Sequence, residues 1–251
     1  MTEDPSQTRD VQPDPVVNPD LAEVPRRLVF LVHGFLRTGA SMIPMAVGLR
    51  RAGYDVRLIT QVNLHKDIPT LADELRGRVE AVRRQVAGPY APLPDAHFVT
   101  HSMGGIVVRT MLNRHEITGP NRVVMLAPPN QGSRVAAHWY DNILRFPWGP
   151  FDPLHKLLPG ERGQCATAGD PDAEFGVIAG VTPGKRDDGK VYVEEAAWSH
   201  ARDFLVVPFG HTFIMARPRV IEQTVAFLEH GRFDDPERGE RRWTAEAPAA
   251  R

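Results

Sequence analysis

The chain has a single cysteine, almost no net charge and no long apolar run. Cys165 cannot form an internal disulfide, so the fold does not depend on an oxidising compartment, and we expect this thiol in a loop or core. The formal net charge of -1 gives no excess of positive charge that would attract nucleic acid. No stretch reaches the ~18 consecutive apolar residues of a membrane-spanning helix. We therefore expect neither a nucleic-acid partner nor stable membrane insertion.

The amino-terminal segment also lacks the basic and apolar regions of a secretion signal, so we expect a cytoplasmic protein. Residues 1–25 are rich in proline and acidic side chains and predict a flexible tail. Residues 233–251 predict a second tail, which leaves one domain over 26–232.

Six short apolar segments between the tails predict strands. They run nearly continuously apolar rather than alternating, as is typical of strands covered on both faces. They are 27–32, 55–60, 96–100, 122–127, 175–180 and 204–209. Apolar residues at helical spacing predict three helices, each with one apolar face. The three faces are Met42, Met45 and Leu49; Leu71, Leu75, Val79 and Val82; and Ile221, Val225 and Leu228. Alternating strands and helices predict a three-layer α/β/α sandwich with a mostly parallel six-stranded sheet.

Ligands of such sheets bind beyond the carboxyl ends of the strands. The residues there are His33 to Phe35, Ser102, Pro128 to Ser133, the 182–190 loop and His211. Within "FVTHSMGGIVVR", Ser102 lies between a predicted strand and a predicted helix, as in the G-x-S-x-G nucleophile elbow. Gly104 matches the second glycine of that motif, whereas Thr100 replaces the first.

These residues resemble the α/β-hydrolase superfamily, in its small bacterial lipase and esterase branch. "LVFLVHGF" resembles the family's oxyanion strand and loop, "THSMGG" its elbow and "LAPPNQGS" the stretch after the next strand, over about residues 27–230. The resemblance implies the minimal α/β-hydrolase fold and a catalytic order of serine, acid, histidine.

A neutral hydroxyl needs a base, and His211, two residues after the last strand, can reach back to Ser102. His200 and His230 are its rivals. Asp187 and Asp188 both follow the fifth strand, and the family's D-G-x-V pattern selects Asp188, with Asp187 second and Asp203 third. Six other histidines are expected to be structural or wrongly placed: His33, His65, His97, His101, His115 and His138.

The resemblance implies hydrolysis through an acyl-enzyme, with the backbone N–H groups of Phe35 and Met103 as the oxyanion hole. No metal-ligand spacing or phosphate-binding glycine loop is present, so no cofactor and no metal are expected.

Residues 134–174 form a possible cap that lines an acyl pocket, or else a helix and loop packed on the sheet edge. If they form a cap, the substrate carries an apolar acyl group. The expected substrate-binding residues are Leu36, Trp139, Phe146, Trp148 and Phe151.

The implied function is a serine carboxylesterase or lipase-like hydrolase acting on a small-molecule ester. The same residues would serve a thioesterase, amidase, polyester hydrolase or acyltransferase. A non-catalytic binding protein of the same fold is the other class, although this chain has a candidate for every catalytic role.

Overall fold

The structure is a computed structural model that describes residues 27–61, 66–89, 91–119, 121–142, 155–160 and 163–234. The described residues do not include the predicted tail over 1–25. Of the predicted tail over 233–251, they include only the first two residues.

One six-stranded, wholly parallel sheet forms the centre of the molecule, and the three-layer prediction is confirmed. Its strands are β1 (Leu28–Val32), β2 (Asp55–Ile59), β3 (Ala96–His101), β4 (Arg122–Leu126), β5 (Glu174–Gly180) and β6 (Asp203–Val207). Their spatial order is β2-β1-β3-β4-β5-β6. All six carboxyl ends therefore lie at one edge, with the ends of β1 and β4 on either side of that of β3.

The sheet is covered on both faces, which explains the continuous apolar runs. Every residue of β1 is buried, and because successive side chains alternate, Phe30 belongs to one core and Leu31 to the other. Phe30 stacks on Phe98 of β3 with ring centroids 5.6 Å apart. Each such fully buried apolar side chain contributes about 1.5–3 kcal/mol.

The helices on these faces are α1 (Ile43–Arg51), α2 (Ile68–Ala87), α3 (Met103–Arg114), α4 (Arg134–Asn142), α5 (Val193–Ala196) and α6 (Pro218–His230). The first core contains side chains of α2 and α3, and the second contains side chains of α1 and α6. The Asp67 carboxylate caps α2 by accepting the Thr70 N–H at 2.8 Å.

Leu228 of the predicted apolar face of α6 is buried in the second core, but the other two positions are off by about one residue. Val220, Thr224 and Phe227 face the core, whereas Ile221 and Val225 are only half-buried. Gly176 of β5 makes room for Phe227, because a Cβ there would lie 2.6 Å from the ring. Ile221 packs toward α1 instead, where Gly48 leaves it space.

Candidate active site

Ser102 sits on the sharp turn between β3 and α3. Its backbone has φ 53° and ψ -128°, a left-handed conformation that costs a residue with a side chain about 1–3 kcal/mol. The Ser102 N–H donates to the Leu126 carbonyl at 2.9 Å, which ties the turn to β4. The serine therefore lies at the carboxyl edge of the sheet, at the amino end of a twelve-residue helix.

The two glycines behind the serine have separate steric roles. A Cβ on Gly104 would lie 2.6 Å from the carbonyl oxygens of Val32 and His33, so the turn requires glycine there. A Cβ on Gly105 would lie 3.2 Å from Thr100 Oγ1 and 2.7 Å from Met125 Cε. Gly105 thus leaves the space that lets Thr100 stand where the motif has its first glycine.

Asp188 and His211 meet at the same edge. The His211 Nδ1–H donates to Asp188 Oδ2 at 2.8 Å, and the His211 backbone N–H donates to the Asp188 carbonyl at 2.9 Å. Asp188 Oδ1 accepts the backbone N–H groups of Lys190 at 2.9 Å and Val191 at 2.8 Å. Since the carboxylate only accepts, the ring proton is on Nδ1 and the Nε2 lone pair is left available.

Gly180, the last residue of β5, allows this meeting. A Cβ there would lie 2.3 Å from the Phe209 carbonyl oxygen and 3.0 Å from Asp188 Cβ. The loops after β5 and β6 can therefore close on one another, which carries Asp188 and His211 together.

The other two acid candidates are engaged elsewhere. Asp187 Oδ1 accepts the Gly189 N–H at 2.8 Å within its own turn. Asp203 is the first residue of β6, at the opposite edge of the sheet, and accepts the Phe233 N–H at 2.6 Å. Asp188 is the one of the three that contacts His211.

Ser102 and His211 line one cavity, and both side chains are largely buried. The structure describes no hydrogen bond between the Ser102 hydroxyl and the His211 ring. Such contacts are often long in unliganded sites and tighten when substrate binds. Ser133, the other hydroxyl lining the cavity, donates to the Lys190 carbonyl at 2.8 Å and accepts the Ala136 N–H at 3.0 Å.

His33 and His101, expected to be structural, have fixed hydrogen-bond partners. His33 Nε2 accepts the Gln61 N–H at 2.9 Å, and Nδ1–H donates to the Gly34 carbonyl at 2.8 Å. The His101 Nε2–H donates to the His211 carbonyl at 3.0 Å, and the two rings lie 4.7 Å apart. Burial lowers the pKa of both imidazoles, that of His101 well below 6.5.

The rival histidines lie away from this edge. His200 precedes β6 and pairs with Asp170 at 3.3 Å, while His230 is exposed at the end of α6. His97, inside β3, accepts the Arg122 N–H at 3.2 Å, and burial lowers its pKa to about 4. His65 lies outside the described residues.

The two predicted oxyanion donors flank the serine. Met103 is the first residue of α3, and Phe35 lies in the turn after β1 and lines the cavity. Among the residues that the structure describes, neither backbone N–H donates to a backbone carbonyl. The β1 loop passes close to the serine, since a Cβ on Gly34 would lie 2.9 Å from Ser102 Cβ.

The cavity has a volume of about 440 Å³. Leu36, which was predicted to bind substrate, lines it, with a left-handed backbone (φ 53°) and 66% of its surface exposed. The side chain of Trp139 and all of Phe146, Trp148 and Phe151 lie outside what the structure describes. The sequence prediction missed five apolar lining residues, Pro129, Val135, Ala136, Leu157 and Val191. Pro129 belongs to a post-strand loop that the sequence had marked.

No group of histidine, cysteine or acidic side chains suited to hold a metal occurs within 27–234 as far as the structure describes it. Over the same residues, no helix is both long and apolar enough to cross a membrane. Cys165 is buried in the first core, and burial raises its pKa to about 12.

Solved structures share this architecture. A lipase from Bacillus licheniformis, BlEst2, aligns with a TM-score of 0.63 at 18% identity, over 86% of this chain and 95% of its own. An esterase from Exiguobacterium antarcticum aligns with a TM-score of 0.54 at 14% identity, over 81% of this chain and 92% of its own. Carboxylesterase CesB from Bacillus subtilis aligns with a TM-score of 0.52 at 14% identity, over 82% of this chain and 84% of its own.

Neither a protein-family model nor the sequence of a curated protein matches the chain. The structural likeness therefore establishes the architecture that the sequence motifs implied. The chain has the α/β-hydrolase fold.

Proposed function

We propose that this protein is a serine hydrolase that cleaves carboxylic esters with apolar acyl groups. The observation that carries the proposal is the shared cavity: it is lined by a strained serine and by an imidazole whose Nδ1 lies 2.8 Å from a buried carboxylate oxygen. The names of the structural neighbours, a lipase, a carboxylesterase and an esterase, support the same reaction class.

The proposed chemistry has two steps. His211 Nε2 removes the hydroxyl proton as Ser102 Oγ attacks the ester carbonyl, and it then donates that proton to the departing alcohol. Asp188 holds the Nδ1–H tautomer and stabilises the imidazolium. Water attacks the acyl-serine by the reverse path, which frees the acid and restores the hydroxyl.

The charge that develops on the carbonyl oxygen requires donors already in place. Phe35 and Met103 would supply two backbone N–H groups, and the loss of one such donor typically costs on the order of 10²–10³ in turnover. The twelve-residue helix α3 adds the positive end of its dipole on the same side. Apolar side chains of the cavity, including Phe35, Leu157 and Val191, would hold the acyl chain.

A hydrolysis panel tests the proposal. Purified protein is assayed with 4-nitrophenyl esters of increasing acyl length, beside a thioester and an anilide with matched acyl groups. We expect the esters to be cleaved fastest, and Ser102→Ala to lower the rate about 10⁶-fold. Faster thioester or anilide cleavage would reassign the substrate class, and no turnover of any acyl compound would favour the non-catalytic alternative.

A further inference from the structure

Two cationic residues line the candidate active-site cavity, and most of its other lining residues are apolar. Arg37 follows Leu36 in the loop after β1 and is half-buried. Lys190 follows Gly189 in the loop after β5 and is exposed. None of the described residues that line the cavity is an aspartate or a glutamate.

Neither cation has an acidic partner among the described residues. Arg134, at the start of α4 beside the same cavity, contrasts with them, because its Nε lies 2.9 Å from Glu195 Oε1. Asp188 is the carboxylate nearest in sequence to Lys190, but it is buried and both of its oxygens are occupied by the His211 ring and two backbone N–H groups. Their donors are therefore available to an anion that enters the cavity.

The positive charges act at the end of the cavity where the serine lies. Burial is the largest cause of the lowered pKa of His101, and the charges of His211, Arg37 and Lys190 lower it further. His101 directly precedes Ser102 and also lines the cavity. A negative group bound there would meet a favourable field in a partly desolvated site, where charge interactions are stronger than in water.

The two cationic residues belong to loops that follow strands on opposite sides of β3. In the sheet, β3, which leads into Ser102, and β4 lie between β1 and β5, whose loops carry Arg37 and Lys190. A substrate that spans the serine places its acyl part toward one loop and its alcohol part toward the other. An anionic group on either part would reach one cation.

We propose that the ester substrate carries an anionic group, a carboxylate or a phosphate, that binds Arg37 or Lys190 while Ser102 attacks the carbonyl. The inference rests on the proposed esterase function and adds to its substrate an anionic group, either at the far end of an apolar acyl chain or on the alcohol part. The planar guanidinium of Arg37 is suited to bind either anion with two parallel hydrogen bonds, and the Lys190 ammonium acts as a point charge.

Matched ester pairs test the inference. Mono-4-nitrophenyl glutarate is compared with its methyl ester, 4-butyryloxybenzoate with its methyl ester, and 4-butyryloxyphenyl phosphate with its dimethyl ester. The first pair places a carboxylate on the acyl part, the second a carboxylate on the alcohol part, and the third a phosphate there. The ratio of kcat/KM for the anionic to the neutral ester is measured for wild type, Arg37→Gln and Lys190→Gln.

We expect the wild type to prefer at least one anionic ester by about tenfold, and Arg37→Gln or Lys190→Gln to lower that ratio about fivefold or more. Arg51→Gln and Lys185→Gln, which remove exposed cations outside the cavity, are the matched controls and should leave the ratio unchanged. Added salt should reduce the preference as well.

Equal kcat/KM within every pair, or a preference that survives both cavity substitutions, would overturn the inference. If neutral esters are still hydrolysed and Ser102 still reacts with a fluorophosphonate, the proposed esterase function stands without it. If no ester is hydrolysed and Ser102 does not react, the proposed function itself has failed.

Discussion

Replacing Asp188 with asparagine should remove most activity with little change in shape. Asp188 Oδ1 accepts two backbone N–H groups, so the asparagine oxygen must stay in that place. Its NH₂ group then faces His211 Nδ1, where the carboxylate accepted a proton at 2.8 Å. A donor at that point forces the imidazole into the other tautomer, with its proton on Nε2, so the ring can no longer act as base.

The expected loss in kcat is about 10⁴, the usual effect of this change in a Ser-His-Asp triad, or about 5 kcal/mol of barrier. Asp187→Asn is the matched control, because the Asp187 carboxylate accepts the Gly189 N–H within its own turn and an amide oxygen can still do so. We expect it to retain activity within about threefold.

The assay is hydrolysis of the best ester of the panel, with thermal unfolding of each variant measured in parallel. The reasoning is refuted if Asp188→Asn keeps more than about a tenth of wild-type kcat, or if folded Asp187→Asn loses as much as Asp188→Asn.

Two further predictions concern stability. Gly104→Ala should destabilise the protein by about 3 kcal/mol and lower Tm by about 6–12 °C, because its Cβ would meet two backbone oxygens at 2.6 Å. Gly77→Ala in α2, where a Cβ meets nothing within 4 Å, should instead raise Tm, and the reverse order would contradict the packing argument. His97 has a pKa of about 4 when folded and about 6.5 when unfolded, so the unfolded chain binds more protons between these values. His97 alone should therefore lower the free energy of unfolding by about 3 kcal/mol from pH 6.5 to pH 4. His97→Asn, which keeps an acceptor for the Arg122 N–H, should lose less than wild type over this range in denaturant titrations, and an equal loss would refute the assignment.

Most of the sheet was predictable from the sequence because a strand covered on both faces is apolar at every position. The observed strands begin and end within two residues of the predicted ones. The elbow was predictable for a local reason, since the strand, the serine and Gly104 are adjacent in the chain. The face of α6 was not, because it depends on Gly176 and Gly48, which lie far away in sequence and leave room for Phe227 and Ile221.

The choice between Asp187 and Asp188 shows where sequence reasoning needed the family resemblance. Neighbouring residues in a turn point in different directions, and composition does not say which one faces His211. Hydrogen bonds within the 187–191 turn decide it in the structure. Arg37 and Lys190 were missed because a single charged residue in a loop looks like ordinary solvated surface until the cavity brings two together.

The most direct test of the central claim is the position of covalent labelling by a fluorophosphonate, mapped by mass spectrometry. The proposed triad activates Ser102, so we expect one adduct on the native protein at Ser102 and none in Ser102→Ala. Ser133 lines the same cavity but has its hydroxyl engaged, so Ser133→Ala should still be labelled. A folded protein that takes no label, or one labelled at Ser133, would contradict the account.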